Sequence, residues 1–492
     1  MSGEVTSRIV VVGMALRLPG ADSVREFEDM LFAGRTGYGD LPEDRFDRRL
    51  YFDSEKGRIG KAYTTLGGTV PERPLNRNVC PLPAQIQKLF DAAHVQFAEV
   101  AATAWSEAGL HANDPRLQRT GVYVGHSGGT KSGGALSLGT QIEEALSFAN
   151  DLESFCDLSL DVRRAVIDQV IAAIRQSRPV RQVGAMPNFH AYQAASLVAR
   201  VLGLNGFRSV IDAACASSLV AMHQAMLAVR AGRIDSAIVG GATYNNVDNL
   251  ILFSHSQACT AMDSRPFDDA ASGLVSSEGY VAVVITTEDI ASRFRLPILG
   301  VIRSVGMASD GRGRSLWAPR MEGQVLALER AYVEAGGLEP LDIDYMEAHA
   351  TSTQLGDATE LETLRYLADR SSSFQHRRVR PDVGRRRLLL GSVKSNIGHT
   401  LEAAGLIGVV KVLLSIHRNE VAPSLRFENP NRRCNWSTSP VRIVTQSEPW
   451  PANATDARPK RAAVSAFGIG GLNAHLVLEE FVVAVDKSAA TE

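Results

Sequence analysis

A chain of 492 residues is longer than the roughly 250–300 at which one hydrophobic core stops growing, so two packed halves are expected. Hydrophobic residues make up 45% of it and charged residues 22%, with 52 basic side chains against 54 acidic ones. This balance excludes extended disorder and any global attraction to nucleic acid or an anionic membrane. No apolar run reaches the roughly 18 residues of a membrane span, and the first residues lack the features of a secretory signal, so a cytoplasmic address is expected. Cys80, Cys156, Cys215, Cys259 and Cys434 are odd in number, scattered and without metal-ligand spacing, which points to free thiols and no metal centre.

In chain order, short β-branched runs at 8–12, 121–124, 209–211, 237–239, 281–285, 298–305, 388–390 and 476–478 alternate with longer helical stretches. The alternation predicts an α/β protein with buried strands. Residues 128–187 read as a helical insertion before Cys215, because Leu160, Val162, Val166, Ile167, Val170, Ile171 and Ile174 recur at helical spacing. That apolar stripe is expected to pack on the main body. Each half delivers reactive residues at strand ends, and each closes on an apolar strand followed by acids, at 281–289 and 476–480. The expected division is an N-terminal half at 1–290, a C-terminal half at 291–480 and a fraying tail at 481–492. The arginine-rich stretch from His376 to Arg387 reads as a solvated loop.

The run 209–226 passes from a β-branched strand through Ala213 and Ala214 to Cys215, then into a helix. A helix N-terminus favours thiolate over thiol, so Cys215 is expected to be a nucleophile of lowered pKa. The small neighbours Ala213, Ala214 and Ala216 leave room for a substrate at this elbow. The run 345–357 ends a strand at His349 among hydroxyls, and the run 388–405 sets Lys394 and His399 between strand and helix. Open α/β folds bind ligands at such strand ends, which predicts one shared site. Residues 125–129 also fit the G-x-S-x-G elbow of a serine hydrolase around Ser127, but loop-forming residues continue to Gly134 where that elbow demands a helix. Gly468, Gly470 and Gly471 suit close backbone approach rather than a phosphate loop, because no Lys-Ser/Thr follows. His223 and His475 read as structural, and Cys259 and Cys434 as packing or surface thiols.

These three runs resemble the Cys-His-His signature of β-ketoacyl synthases, the condensing enzymes of fatty acid and polyketide assembly. Residues 9–20 and 465–475 are similar to the opening and closing motifs of the polyketide-type members. The resemblance implies a thiolase-like αβαβα layered sandwich from two related halves, normally a homodimer. It implies that Cys215 takes an acyl group from an acyl carrier protein, with the amides of Cys215 and Ile469 as oxyanion hole. His349 and His399 would then bind the thioester oxygen of a malonyl-type extender as carbon dioxide leaves, with Lys394 ordering His349 by hydrogen bonding and charge. Thr351, Thr353, Phe467 and Gly468 fall where the family contacts the phosphopantetheine arm, and Ile469 falls at its gating position. The resemblance calls for no metal or redox cofactor, and for a separate acyltransferase or malonyl-loading enzyme.

Two departures stand out. Ala350 and Ser352 replace the glycines usual after the first histidine, and the segment at 80–90 lacks the usual acidic-proline-glutamine pattern. Together with the insertion, the latter is nearer to iterative polyunsaturated-fatty-acid or enediyne-type synthases. Acyl transfer without decarboxylation and a non-catalytic ketosynthase-like partner stay open as alternatives, with a serine hydrolase at Ser127 as the reading from another class.

Overall fold

Among the described residues, eleven strands hydrogen-bond into one sheet: β1 (Ile9–Arg17), β2 (Thr120–Gly125), β3 (Arg208–Ile211), β4 (Ser236–Thr243), β5 (Gly279–Thr287), β6 (Gly300–Ser309), β7 (Tyr345–Glu347), β8 (Leu388–Gly391), β9 (Val441–Ile443), β10 (Arg461–Phe467) and β11 (Leu472–Glu479). The computed structural model describes residues 7–177, 190–313, 317–371, 387–437, 439–451 and 458–483. The arginine-rich stretch apart from Arg387, the last part of the insertion and most of the tail lie outside the described residues.

Strand order runs β9-β8-β7-β10-β11-β6-β1-β5-β4-β2-β3. Between β1 and β6 only Ile9, Val10 and Val11 pair across, with Ile302, Val301 and Gly300. Outward from that seam the same order appears twice, as β1-β5-β4-β2-β3 and as β6-β11-β10-β7-β8, with β9 added at one edge. Directions repeat as well: β2 is parallel to β3 and β4, as β7 is to β8 and β10, while β4 with β5 and β10 with β11 are antiparallel.

Six helices complete the pattern: α1 (Ala92–Glu107), α2 (Gln193–Leu202), α3 (Ser217–Arg230), α4 (Met321–Glu334), α5 (Gln354–Arg370) and α6 (Ala404–Arg418). α3 and α6 fill the space between the two strand groups, α1 and α2 cover the outside of the first, and α4 and α5 cover the outside of the second. The result is the expected five-layer αβαβα sandwich. The central strands are mostly apolar because both of their faces are covered. In β5, Val281, Val283 and Ile285 enter the central layer while Tyr280, Ala282 and Val284 face outward under α1. In β10, Ala462, Val464 and Ala466 point to the centre, and Ala463 and Phe467 point to the outer layer of the second half. Full burial of a large aliphatic side chain stabilises by about 1.5–3 kcal/mol. The outer helices lie close: a Cβ on Gly306 of β6 would fall 2.2 Å from the Ala327 carbonyl oxygen of α4.

The insertion is helical, as its spacing predicts, with helices at Lys131–Asn150, Glu153–Cys156 and Leu160–Ser177. Much of its stripe is exposed rather than packed on the main body. Leu160 is 64% exposed, Val162 46%, Val166 38% and Val170 40%. Periodicity sets which side chains share a face, but not what that face meets.

Candidate active site

Cys215 lies between the end of β3 and the start of α3, on an elbow whose preceding residue, Ala214, has φ of +48°. Side-chain bonds hold the elbow: Ser217 Oγ donates to the Ala214 carbonyl at 2.6 Å and accepts the Ala213 amide at 2.8 Å, while Asp212 Oδ1 accepts the Ala214 amide at 3.0 Å. The closing loop between β10 and β11 approaches so nearly that a Cβ on Gly468 would stand 2.6 Å from the Ala213 carbonyl oxygen. That approach brings the Ile469 amide to the sulfur beside the Cys215 amide.

His349 follows β7. Its backbone amide and that of Ala350 donate to the two carboxylate oxygens of Glu360 on α5, each at 2.9 Å. His399 follows β8 and the short helix Lys394–Ile397, with its amide bound to the Val275 carbonyl at 2.7 Å. The three expected side chains meet. His399 Nε2 is 3.0 Å from Cys215 Sγ, the two imidazole centroids are 5.5 Å apart at 84°, and Phe467 lies 5.5 Å from His349. Both Nδ1 atoms are buried without a hydrogen-bond partner.

Lys394 is buried, and its Nζ reaches the Ala348 carbonyl at 3.5 Å, so its hydrogen bond goes to the main chain beside His349 rather than to the ring. Its charge does act on the imidazoles. Burial first, then Lys394, holds both His349 and His399 well below the ordinary histidine range, so both are neutral at physiological pH. Lys394 itself is lowered by burial, opposed by Glu347 and Glu360.

The expected lowering at Cys215 is reversed. Burial, reinforced by the Glu402 charge, pushes the thiol up to about 12 despite Lys394 and the amides of Ile469 and Cys215. A helix terminus contributes less than the loss of water around a buried thiolate. The resting pair is therefore thiol and neutral imidazole in hydrogen-bond contact.

Thr351 and Thr353 are half-buried with their hydroxyls 3.2 Å apart, and Ser352 between them is fully buried. Ser127 is not arranged as a hydrolase nucleophile: its hydroxyl is held by the Glu402 carboxylate, whose other oxygen accepts from Thr243 Oγ1 at 2.6 Å. The neighbouring His126 ring is engaged elsewhere, with the Ala242 carbonyl at 2.8 Å and His94 Nε2 at 3.2 Å. A helix does begin soon after Ser127, at Lys131 capped by Thr130, so the expected loop to Gly134 is shorter than its glycines suggest. His475 is buried against Tyr332 with Nδ1 2.9 Å from Ser465 Oγ, Cys259 is buried, and Cys434 is half-buried. Sequence reasoning left Glu360 and Glu402 unassigned. Glu360 follows Asp357 by three residues on α5, an acidic pair turned into the protein.

Residues 6–291 match the family model for the β-ketoacyl synthase N-terminal domain and residues 299–428 that for the C-terminal domain. Polyketide synthase PksL of Bacillus subtilis (strain 168) is 33% identical over 96% of this chain, which spans 9% of that protein. A polyunsaturated fatty acid synthase polypeptide from a Thraustochytrium species is 30% identical over 97% of the chain, which spans 16% of its length. Among solved structures, the ketosynthase from module 6 of the bacillaene synthase from Bacillus subtilis 168 superposes with a TM-score of 0.75 at 29% identity, covering 97% of this chain and 72% of that one. The PfaC keto synthase-chain length factor superposes with a TM-score of 0.78 at 27% identity, over 98% of this chain and 49% of that one.

Proposed function

Because the chain belongs to the β-ketoacyl synthase family, we propose that it catalyses decarboxylative Claisen condensation, joining an acyl group held on Cys215 to a malonyl-type thioester. The observation that carries the reading is the contact of Cys215 Sγ with His399 Nε2 at 3.0 Å, beside the second neutral imidazole of His349.

In the first step Cys215 Sγ attacks the carbonyl of an acyl thioester, its proton passing to His399 as the carbon-sulfur bond forms. The amides of Cys215 and Ile469 receive the oxyanion, and the carrier thiol leaves with the proton. In the second step the extender loses carbon dioxide. The electron pair of the broken carbon-carbon bond becomes an enolate, whose oxygen accepts hydrogen bonds from the ring N–H groups of His349 and His399. Neutral imidazoles suit this role, since each keeps one N–H to donate. The enolate carbon then attacks the Cys215 thioester, forming the new carbon-carbon bond and breaking the carbon-sulfur bond, and the released thiolate takes a proton from solvent to restore the thiol. Lys394 orders the His349 strand end and, after burial, helps keep the imidazoles neutral, while Thr351, Thr353, Phe467 and Gly468 line the path of the phosphopantetheine arm.

Carbon dioxide release drives the reaction, so the reading requires no metal or redox cofactor. Acyl and extender units arrive on an acyl carrier protein outside these 492 residues, loaded by a separate acyltransferase, in the cytoplasm. Among the described residues, no helix is long and apolar enough to cross a membrane. A homodimer is part of the same reading. It is supported by β3, a sheet edge with no strand beyond it among the described residues, and by the exposed apolar residues of the insertion.

Intact-mass spectrometry after incubation with a panel of acyl thioesters tests the first step: wild type should gain one acyl mass and Cys215→Ala none. Malonyl carrier protein should then release carbon dioxide and lengthen the product. Loading at a residue other than Cys215 defeats the mechanism, and loading without carbon dioxide release leaves acyl transfer alone. Light scattering decides the oligomeric state.

A further inference from the structure

Ser352 stands where polyketide-type members of the family usually carry glycine, and its backbone is left-handed, with φ of +65°. Glycine enters that region freely, whereas serine is strained there and persists only where its surroundings hold it. Here the side chain takes part in the holding. Ser352 Oγ accepts the Arg265 amide at 2.8 Å, and the Ser352 carbonyl oxygen accepts the Gly273 amide at 2.8 Å. The loop that runs from Thr260 to Leu274 is thus fastened to the His349 loop at two points of one residue. Two further bonds fasten it to α5: Gln354 Nε2 donates to the Asp269 carbonyl at 2.6 Å, and the Phe267 amide donates to Asp357 Oδ2 at 2.7 Å. On either side of Ser352, the hydroxyls of Thr351 and Thr353 are held together at 3.2 Å.

We infer that Ser352 is a positioning residue for the thioester arm: the bond from the Arg265 amide to its hydroxyl fixes the turn that presents Thr351 and Thr353 as a pair. Glycine would allow the turn and keep the carbonyl bond to the Gly273 amide, but it has no side-chain oxygen to receive the Arg265 amide. The inference rests on reading those two threonines as contacts of the phosphopantetheine arm. The bonds of Ser352 run to the main chain of the Arg265 loop, not to Cys215 or an imidazole. It therefore acts on recognition of the carrier-bound thioester and leaves the bond-making steps alone.

The test is steady-state condensation with malonyl carrier protein, comparing wild type with Ser352→Gly and Ser352→Ala, alongside hydrogen exchange at the Arg265 amide. In both variants KM for the carrier thioester should rise about fivefold to tenfold, with kcat within about twofold of wild type, the pattern of lost binding rather than lost chemistry. The Arg265 amide should exchange faster in both. With wild type active, an unchanged KM overturns the inference, and so does a fall in kcat at constant KM. A wild-type protein that forms no product removes the functional reading instead. The exchange measurement then still decides the clamp, which unchanged protection at Arg265 would refute.

Discussion

At Cys215, position and burial pull in opposite directions. The elbow at Ala214, the start of α3 and the Ile469 amide all favour a sulfur anion, yet enclosure and Glu402 hold the thiol up to about 12. In the proposed mechanism thiolate forms as His399 takes the proton, so a small electrophile that recruits no such transfer should react slowly. A raised thiol pKa means that the anionic fraction grows with pH throughout the accessible range, so iodoacetamide labelling of Cys215 should climb about tenfold per pH unit from 7 to 9 without a plateau. Peptide-resolved mass spectrometry measures this, and saturation below pH 8 would contradict the buried thiol. The sign is opposite for the imidazoles. His349 and His399 lie well below the ordinary range, so they stay neutral as pH falls past 6.5, and decarboxylation should remain flat between pH 7.5 and 6. That Cys215, His349 and His399 would meet was legible in the sequence, because the first two closely follow recognisable strands and His399 follows the short helix after β8. The protonation state was not. It depends on burial, which only the assembled layers determine.

At the scale of elements, the site is built from loops that follow strands, and their backbones carry as much of the chemistry as their side chains. Gly468 shows this: an added Cβ must push against the main chain at Ala213, withdrawing the Ile469 amide from the sulfur. Gly468→Ala should slow single-turnover acylation about a hundredfold, the usual effect of losing one oxyanion donor. Acylation at the wild-type rate would show that the Ile469 amide is not used. Glu360 tests the other loop. Glu360→Gln has one oxygen for two amides, so the variant should lose about 1–3 kcal/mol by denaturant unfolding and turn over more slowly; an unchanged midpoint would show that the carboxylate does not order the His349 loop. Most strands rich in valine, isoleucine and leucine were legible, whereas two were not picked out: β9, a short run with Arg442 at its centre, and β10, with Ala462, Ala463 and Ala466, for alanine has little β preference and the run depends on its neighbours. The insertion helix was legible as a helix and misread as packed, since an amphipathic pattern specifies a face and not its partner.

Over the whole molecule, the central layer is tied to the catalytic strand ends by a buried ion pair. Lys411 of α6 and Glu347 of β7 meet at 2.7 Å, and Glu347 also accepts from the Tyr345 hydroxyl and the Val393 amide. Lys411→Met would strand the Glu347 charge, at a cost of about 3–5 kcal/mol in unfolding free energy. Pairing it with Glu347→Gln should recover part of that loss, and a single variant as stable as wild type would show that the pair is not coupled. A doubled architecture was suggested in the sequence by repeated strand endings, but strand order was not, because it follows from crossovers between distant segments. That order sets Cys215, after the outermost strand of its group, in the position His399 occupies after the matching strand of the other. Two identical copies joined at the same seam would confront thiol with thiol or imidazole with imidazole, and neither pairing could pass a proton one way. In the proposed mechanism the two halves thus differ at the one place where an acid-base couple is needed, one supplying the thiol and the other the imidazole.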